Sequence, residues 1–202
     1  MPERRQVASR ANPFIQRAAR VLANSAVTPN QISVFSVLAS LLAPAGLLWV
    51  GGGRGALLAV AGIQLRLLAN VLDGLVAVEG GKSSPQGALY NEFPDRIADS
   101  IILVSIGYAA GSGSLGWAAA LMAALTAYVR VFGGALGQPQ CFAGPMAKQH
   151  RMAVATVALL LSTFTLMVSP ATLLSAALIV IIVGAAWTCV ARTQAILHKL
   201  ER

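Results

Sequence analysis

The sequence predicts an all-α integral membrane protein: six transmembrane helices preceded by a short amphipathic helix in the membrane interface. Three observations carry that prediction. The chain of 202 residues is 56% hydrophobic and 11% charged, with a mean hydropathy of +0.71, whereas a soluble domain carries roughly 25% charged residues. Its apolar residues fall into six runs, each near the length of about 20 residues that a helix needs to cross a bilayer. Its cations, 15 Lys and Arg against 7 Asp and Glu, collect on one side of those runs.

The elements follow in order. Residues 12–23 mix Phe14, Ile15, Ala18, Ala19 and Leu22 with Arg17 and Arg20, the pattern of a helix lying in the interface. Thr28 then stands as an N-cap with Pro29 at the first helical position. The six spans are 31–50, 56–78, 86–110, 115–137, 150–168 and 171–192. Gly51–Gly53, Gly111–Ser114 and Ser169-Pro170 break the runs on one side, Gly80–Pro85 and Gly137–Gln149 on the other. With the N-terminus inside, Arg4, Arg5, Arg10, Arg17, Arg20, Lys82, Lys148, Arg151, Arg192, Lys199 and Arg202 are cytoplasmic, and Arg54 alone is outside. That asymmetry is the positive-inside signature. The expected organisation is a cytoplasmic segment over 1–30, a six-helix catalytic domain over 31–192 and a cytoplasmic tail over 193–202. A bacterial inner membrane with both termini inside is the expected location.

The excess of cations raises nucleic acid as a partner, but only 6% of residues are aromatic and the sequence lacks a basic patch interleaved with aromatic residues. Membrane orientation and anionic headgroups explain the charge better. Cys141 and Cys189 lie far apart with no Cys or His beside them, so neither redox nor thiolate–metal chemistry is indicated.

Five of the seven acidic residues, Asp73, Glu79, Glu92, Asp95 and Asp99, fall in one short stretch of this apolar chain. Intramembrane carboxylates are costly and therefore functional by default. Asn70, Asp73 and Ala77 share one helical face, with Arg66 one turn earlier, and Asn91, Asp95 and Asp99 share another. Two adjacent antiparallel helices would present these oxygens to each other, the donor type that Mg²⁺ or Mn²⁺ prefers. Ser84 and Pro85 are expected to cap the third span, and Pro94 to kink it beside Asp95.

The same stretch resembles the signature of the CDP-alcohol phosphotransferase family, Asp-x-x-Asp-Gly-x-x-Ala-Arg, eight residues, Gly-x-x-x-Asp-x-x-x-Asp. Here it reads Asn70-x-x-Asp73-Gly74-x-x-Ala77-Val78, eight residues, Gly87-x-x-x-Asn91-x-x-x-Asp95, so Asn70, Asn91 and Val78 replace two Asp and the Arg. A shifted register would place Asp95 and Asp99 at the last two Asp positions, but Pro85-x-Gly87-Ala88 matches only the ungapped one. The resemblance implies transfer of a phosphoalcohol group from a CDP-linked donor such as CDP-diacylglycerol to an acceptor hydroxyl, releasing CMP, in phospholipid biosynthesis. It implies two Mg²⁺ or Mn²⁺ ions on Asn70, Asp73, Asn91, Asp95 and Asp99, with Asp95, or Asp99 in the shifted register, as general base. Asp73, Gly74, Ala77, Lys82 and Gly87 would contact CDP. It also implies a homodimer.

A second cluster, Arg130 on the fourth span and Lys148, His150 and Arg151 after it, would face the same cavity. These cations predict a phosphorylated polyol as acceptor. Gly107-x-x-x-Gly111 and Gly133-x-x-x-Gly137 would allow close helix packing. The competing readings are a catalytically impaired relative that binds lipid or assists assembly, and a small cation transporter.

Overall fold

The computed structural model describes residues 12–82, 84–164 and 168–201. Arg4, Arg5, Arg10 and Arg202, counted above among the cytoplasmic cations, lie outside them. Every regular element among the described residues is helical. Helix α1 spans Pro13–Ala23, with Asn12 as its N-cap accepting from the Phe14 N–H. Helix α2 spans Pro29–Val50. Thr28 caps it in a complete capping box with Gln31, as the Thr-Pro-Asn-Gln sequence predicts. Past Ser40 its path changes to a π-helical turn over Ala45–Val50. Pro44 lacks the N–H that would continue the regular ladder, which accounts for the change.

Helices α3 (Gly52–Glu79), α4 (Gly87–Ala109), α5 (Gly113–Ala135), α6 (Lys148–Phe164) and α7 (Pro170–Leu200) complete the bundle. Four of them, α2, α3, α5 and α7, are long and apolar enough to cross a membrane. The chain is a multi-pass membrane protein. Helix α4 carries Glu92, Asp95, Arg96 and Asp99, and α6 is described over 17 residues beginning with Lys148 and Arg151. Both therefore fall short of an apolar span by composition or length. The last helix also runs past residue 192, where the apolar run ends, to Leu200.

Two local expectations are corrected. Ser84 does not cap α4: the helix opens at Gly87 without a side-chain cap, and Ser84 contributes only its carbonyl, to the Gly87 N–H at 3.0 Å. Helices α3 and α4 are not packed neighbours along their length. Helix α2 packs extensively on both and keeps them apart. It can do so because its inner face carries the small buried side chains Ser33, Ser36 and Ser40. The result is a cleft between α3 and α4 that polar side chains bridge, Arg66 and Asn70 of α3 reaching Asp95 of α4.

At the hairpin end, near residues 51 and 111, helices touch backbone to backbone. Gly46 of α2 meets Gly55 of α3, and a Cβ on Gly116 of α5 would lie 2.9 Å from the Leu103 carbonyl oxygen of α4 and 3.0 Å from the Gly107 Cα. Within the Gly107 and Gly133 motifs only the first glycine packs, Gly107 on Gly116 and Gly133 on Ile196, while Gly111 and Gly137 turn the chain at φ 71° and 77°. A core of Ala59, Ile63, Ile102, Leu103, Ile106, Leu159, Leu178 and Ile181 fills the centre.

Candidate active site

At the opposite end, polar side chains from five helices converge. Asp73 on α3 is buried, and its Oδ2 accepts from the Ser33 hydroxyl of α2 at 2.7 Å. Asp95 on α4 stands across the cleft. Its Oδ1 accepts from Asn70 Nδ2 at 2.9 Å and from Arg66 Nη2 at 3.3 Å, both on α3. Its Oδ2 faces Lys148 Nζ of α6 at 2.5 Å, with Arg96 Nη2 at 3.6 Å. Asp73 is within electrostatic reach of both Lys148 and Asp95.

One turn deeper, Asp99 is gripped on both sides. Arg66 Nη2 lies 2.6 Å from Oδ1 and Arg151 Nη2 lies 2.8 Å from Oδ2. All three side chains are at most 2% exposed. Arg151 also donates to the Thr126 hydroxyl at 3.1 Å and the Met146 carbonyl at 2.9 Å. A buried carboxylate held by two buried guanidiniums is a clamp joining α3, α4 and α6, since removing any partner strands a charge.

The connection between α5 and α6 is tied down as well. Arg130 pairs with Glu92, donates to Gln140 Oε1 at 2.7 Å and lies over the Phe142 ring. Arg192 donates to the Ala143 carbonyl at 3.0 Å and to the Thr126 carbonyl. Thr188 Oγ1 accepts from the Met146 N–H at 2.9 Å. These bonds deliver Lys148, the first residue of α6, to the cleft.

No family model matches the chain. Over 130 residues, 61% of this chain, it is 34% identical to the bifunctional IPC transferase and DIPP synthase of Rubrobacter xylanophilus, but it spans only 28% of that relative's length. Its backbone matches the phosphatidylinositol phosphate synthase PgsA1 of Mycobacterium tuberculosis solved with CDP-DAG bound, at a TM-score of 0.75 and 20% identity, covering 92% of this chain and 94% of that one. The same enzyme in complex with manganese and citrate also gives a TM-score of 0.75 at 20% identity, over 91% and 88% of the two chains. The chain resembles the CDP-alcohol phosphotransferases in sequence and in fold.

Against the CDP-alcohol phosphotransferase signature, the fold gathers Asn70, Asp73 and Asp95 at one cleft, with Gly74 and Ala77 half-buried on α3 beside them. Asn91 is exposed one turn before Asp95, and Gly87 is half-buried at the start of α4. Three of the expected site residues make other contacts in this structure. Lys82 donates to the Ser25 and Val27 carbonyls at 2.6 and 3.1 Å, tying the α1–α2 connection instead of facing the cleft. Arg151 belongs to the Asp99 clamp instead of an open mouth. Asp99 itself has both oxygens facing guanidiniums. Arg130 has the anionic partner its depth requires, Glu92, and His150 is exposed with Nδ1 at 2.6 Å from the Pro145 carbonyl.

The donor set suits a hard divalent ion. Asp73, Asp95 and the amide oxygen of Asn70, whose nitrogen is turned to Asp95, are all oxygen donors of the type such ions take. Among the described residues no three Asp, Glu, His or Cys side chains form a ready-made cage. The cation nearest to Asp95 is the Lys148 ammonium, ahead of Arg66 and Arg96, which marks the position as one that holds positive charge.

Two contributors escaped sequence reasoning. Ser33 and Thr126 carry no distinctive signal in an apolar helix. Their parts are set by partners 40 and 25 residues away.

Proposed function

We infer that the chain is a CDP-alcohol phosphotransferase, moving a phosphoalcohol group, a phosphatidyl group in the favoured case, from a CDP-linked donor to an acceptor hydroxyl and releasing CMP. The observation that carries this reading is the meeting of Asp73, Asn70 and Asp95 across the α3–α4 cleft at the signature's own spacing. The relatives support it: PgsA1 has been solved with CDP-DAG and with manganese.

The roles follow from the contacts. Asp73, Asn70 and Asp95 would hold a Mg²⁺ or Mn²⁺ ion, and Asn91 with substrate phosphates would complete a second, as the family resemblance implies. Such ions, when bound, neutralise charge on the pyrophosphate. Ser33 fixes Asp73, and Arg66 with Asn70 holds Asp95 through Oδ1, leaving Oδ2 toward the mouth. As the acceptor oxygen bonds to phosphorus and the phosphorus–oxygen bond to CMP breaks, the hydroxyl proton passes to Asp95 Oδ2. An apolar groove of ≈ 400 Å³ between α1, α2 and α3, lined by Leu22, Ile32, Phe35, Leu65, Leu68 and Leu72, suits a lipid-linked donor. For the acceptor a phosphorylated polyol is proposed, with its contacts narrowed to Lys148, His150 and Arg130.

Six spans, both termini on the cytoplasmic side of a bacterial inner membrane and a homodimer complete the reading. The purified protein, given CDP-diacylglycerol, Mg²⁺ or Mn²⁺ and a panel of phosphorylated and neutral alcohols, should release CMP only with divalent ion and acceptor together. No CMP with any acceptor would leave the chain as an impaired relative.

A further inference from the structure

The cations around the cleft divide by exposure. Arg66 and Arg151 are sealed in the Asp99 clamp at 0% and 2% exposure, whereas the Lys148 and Arg96 side chains are 27% and 25% exposed; of these two Lys148 is the nearer to Asp95 Oδ2, its Nζ at 2.5 Å against 3.6 Å for Arg96 Nη2. It is rooted at the first residue of α6, at the end of a tied connection, and reaches the cleft on a flexible four-carbon arm. It contacts Asp95 and lies within electrostatic reach of Asp73, the same pair of carboxylates that would hold a divalent ion. Two positions beside it, Asn70 and Asn91, bring amides and no charge. The cleft thus offers two carboxylates, and a tethered positive charge already touches one of them, Asp95.

We propose that Lys148 is the built-in competitor of the divalent cation: its ammonium neutralises Asp95 in the metal-free cleft and must swing away before the ion binds. This deepens the phosphotransferase reading and rests on it. The physical argument is mutual exclusion. An ammonium and a divalent ion cannot both neutralise the Asp95 carboxylate at contact distance, because like charges so close in a partly desolvated site repel strongly. Lys148 can leave without opening the Asp99 clamp. Arg96, at 3.6 Å from the same oxygen, is fixed next to Asp95 in sequence and shares itself with Glu92 at 3.9 Å. Once displaced, the ammonium stands at the mouth, where an anionic substrate can take it up through charge-assisted bonds. Metal affinity is therefore set low in the empty enzyme, and the energy of releasing Lys148 is recovered when a phosphate-bearing ligand arrives.

The test is a Mn²⁺ titration of the full chain in detergent, followed by the loss of the free-ion paramagnetic resonance signal, with no CDP compound present. Lys148→Met should bind Mn²⁺ at least about tenfold tighter than the unaltered chain, a difference of about 1.4 kcal/mol. Lys148→Arg should stay within a fewfold of the unaltered chain, and Asp95→Asn should lose the tightening in the Lys148→Met background. Unchanged or weaker Mn²⁺ binding in both Lys148→Met and Lys148→Gln would overturn the proposal, even if the enzyme releases CMP. Tightening without CMP release from the unaltered chain would support the competition and sink the phosphotransferase reading, so the two fail separately.

Discussion

The two ends of the helix bundle solve the same packing problem by opposite means. At the hairpin end, glycines and alanines bring backbones into contact, Gly46 on Gly55 and Gly107 on Gly116, with no charge in the core. At the other end the helices are held apart, and Arg66, Asp95, Asp99, Lys148 and Arg151 span the gap. Small residues let dispersion hold helices in a lipid solvent, where burial of apolar surface gives no drive. Polar groups hold a cleft open at the cost of satisfying every charge. The charged end is itself divided: Asp99 is closed on both oxygens, while Asp95 is closed on one and meets a movable lysine on the other. On the proposed function, that division gives Asp99 an architectural part and Asp95 the chemical one.

The sharpest way to break this division is Asp95→Asn. The change keeps shape while removing charge and proton acceptor, so CMP release should fall by at least about 100-fold, with the detergent-solubilised protein still monodisperse and helical. If Asp99→Asn is instead the dead, well-folded variant and Asp95→Asn stays active, the shifted register holds and the two carboxylates exchange roles.

Next in size is the clamp. Asp99→Asn or Arg151→Ala strands buried charge and should cost about 3–5 kcal/mol, read as a fall in the thermal unfolding midpoint. The double variant should lose much less than the sum of the singles, because the partners act as one unit. An additive double would mean that the three side chains do not form a clamp.

The hairpin end gives a smaller and purely structural effect. Gly116→Ala places a Cβ against the Leu103 carbonyl and the Gly107 backbone, where neither can yield. A loss of about 1–3 kcal/mol is expected, with the KM for the CDP-linked donor unaltered. A changed donor KM would show that the two ends are coupled. The smallest effect is at the entry of α2: Thr28→Ala removes one half of the capping box and should cost about 1 kcal/mol, lowering the midpoint by roughly 2–4 °C.

Much of this was legible in the chain itself. Six apolar runs between Gly- and Pro-rich breaks, the Thr28 cap and the shared face of Asn70 and Asp73 all depend on helical periodicity and short-range chemistry. These are properties of neighbouring residues, so sequence alone determines them. The wedge of α2 between α3 and α4, the clamp around Asp99 and the approach of Lys148 to Asp95 are different. They join positions 52 and 53 residues apart, and a cation's spacing along one helix says nothing about which carboxylate on another it will meet. Arg130, Lys148 and Arg151 looked alike as cations near a cytoplasmic mouth. Only the tertiary arrangement separated a latch, a movable counter-charge and a buried clamp, because burial and partner, not residue type, decide what a charge inside a membrane protein can do.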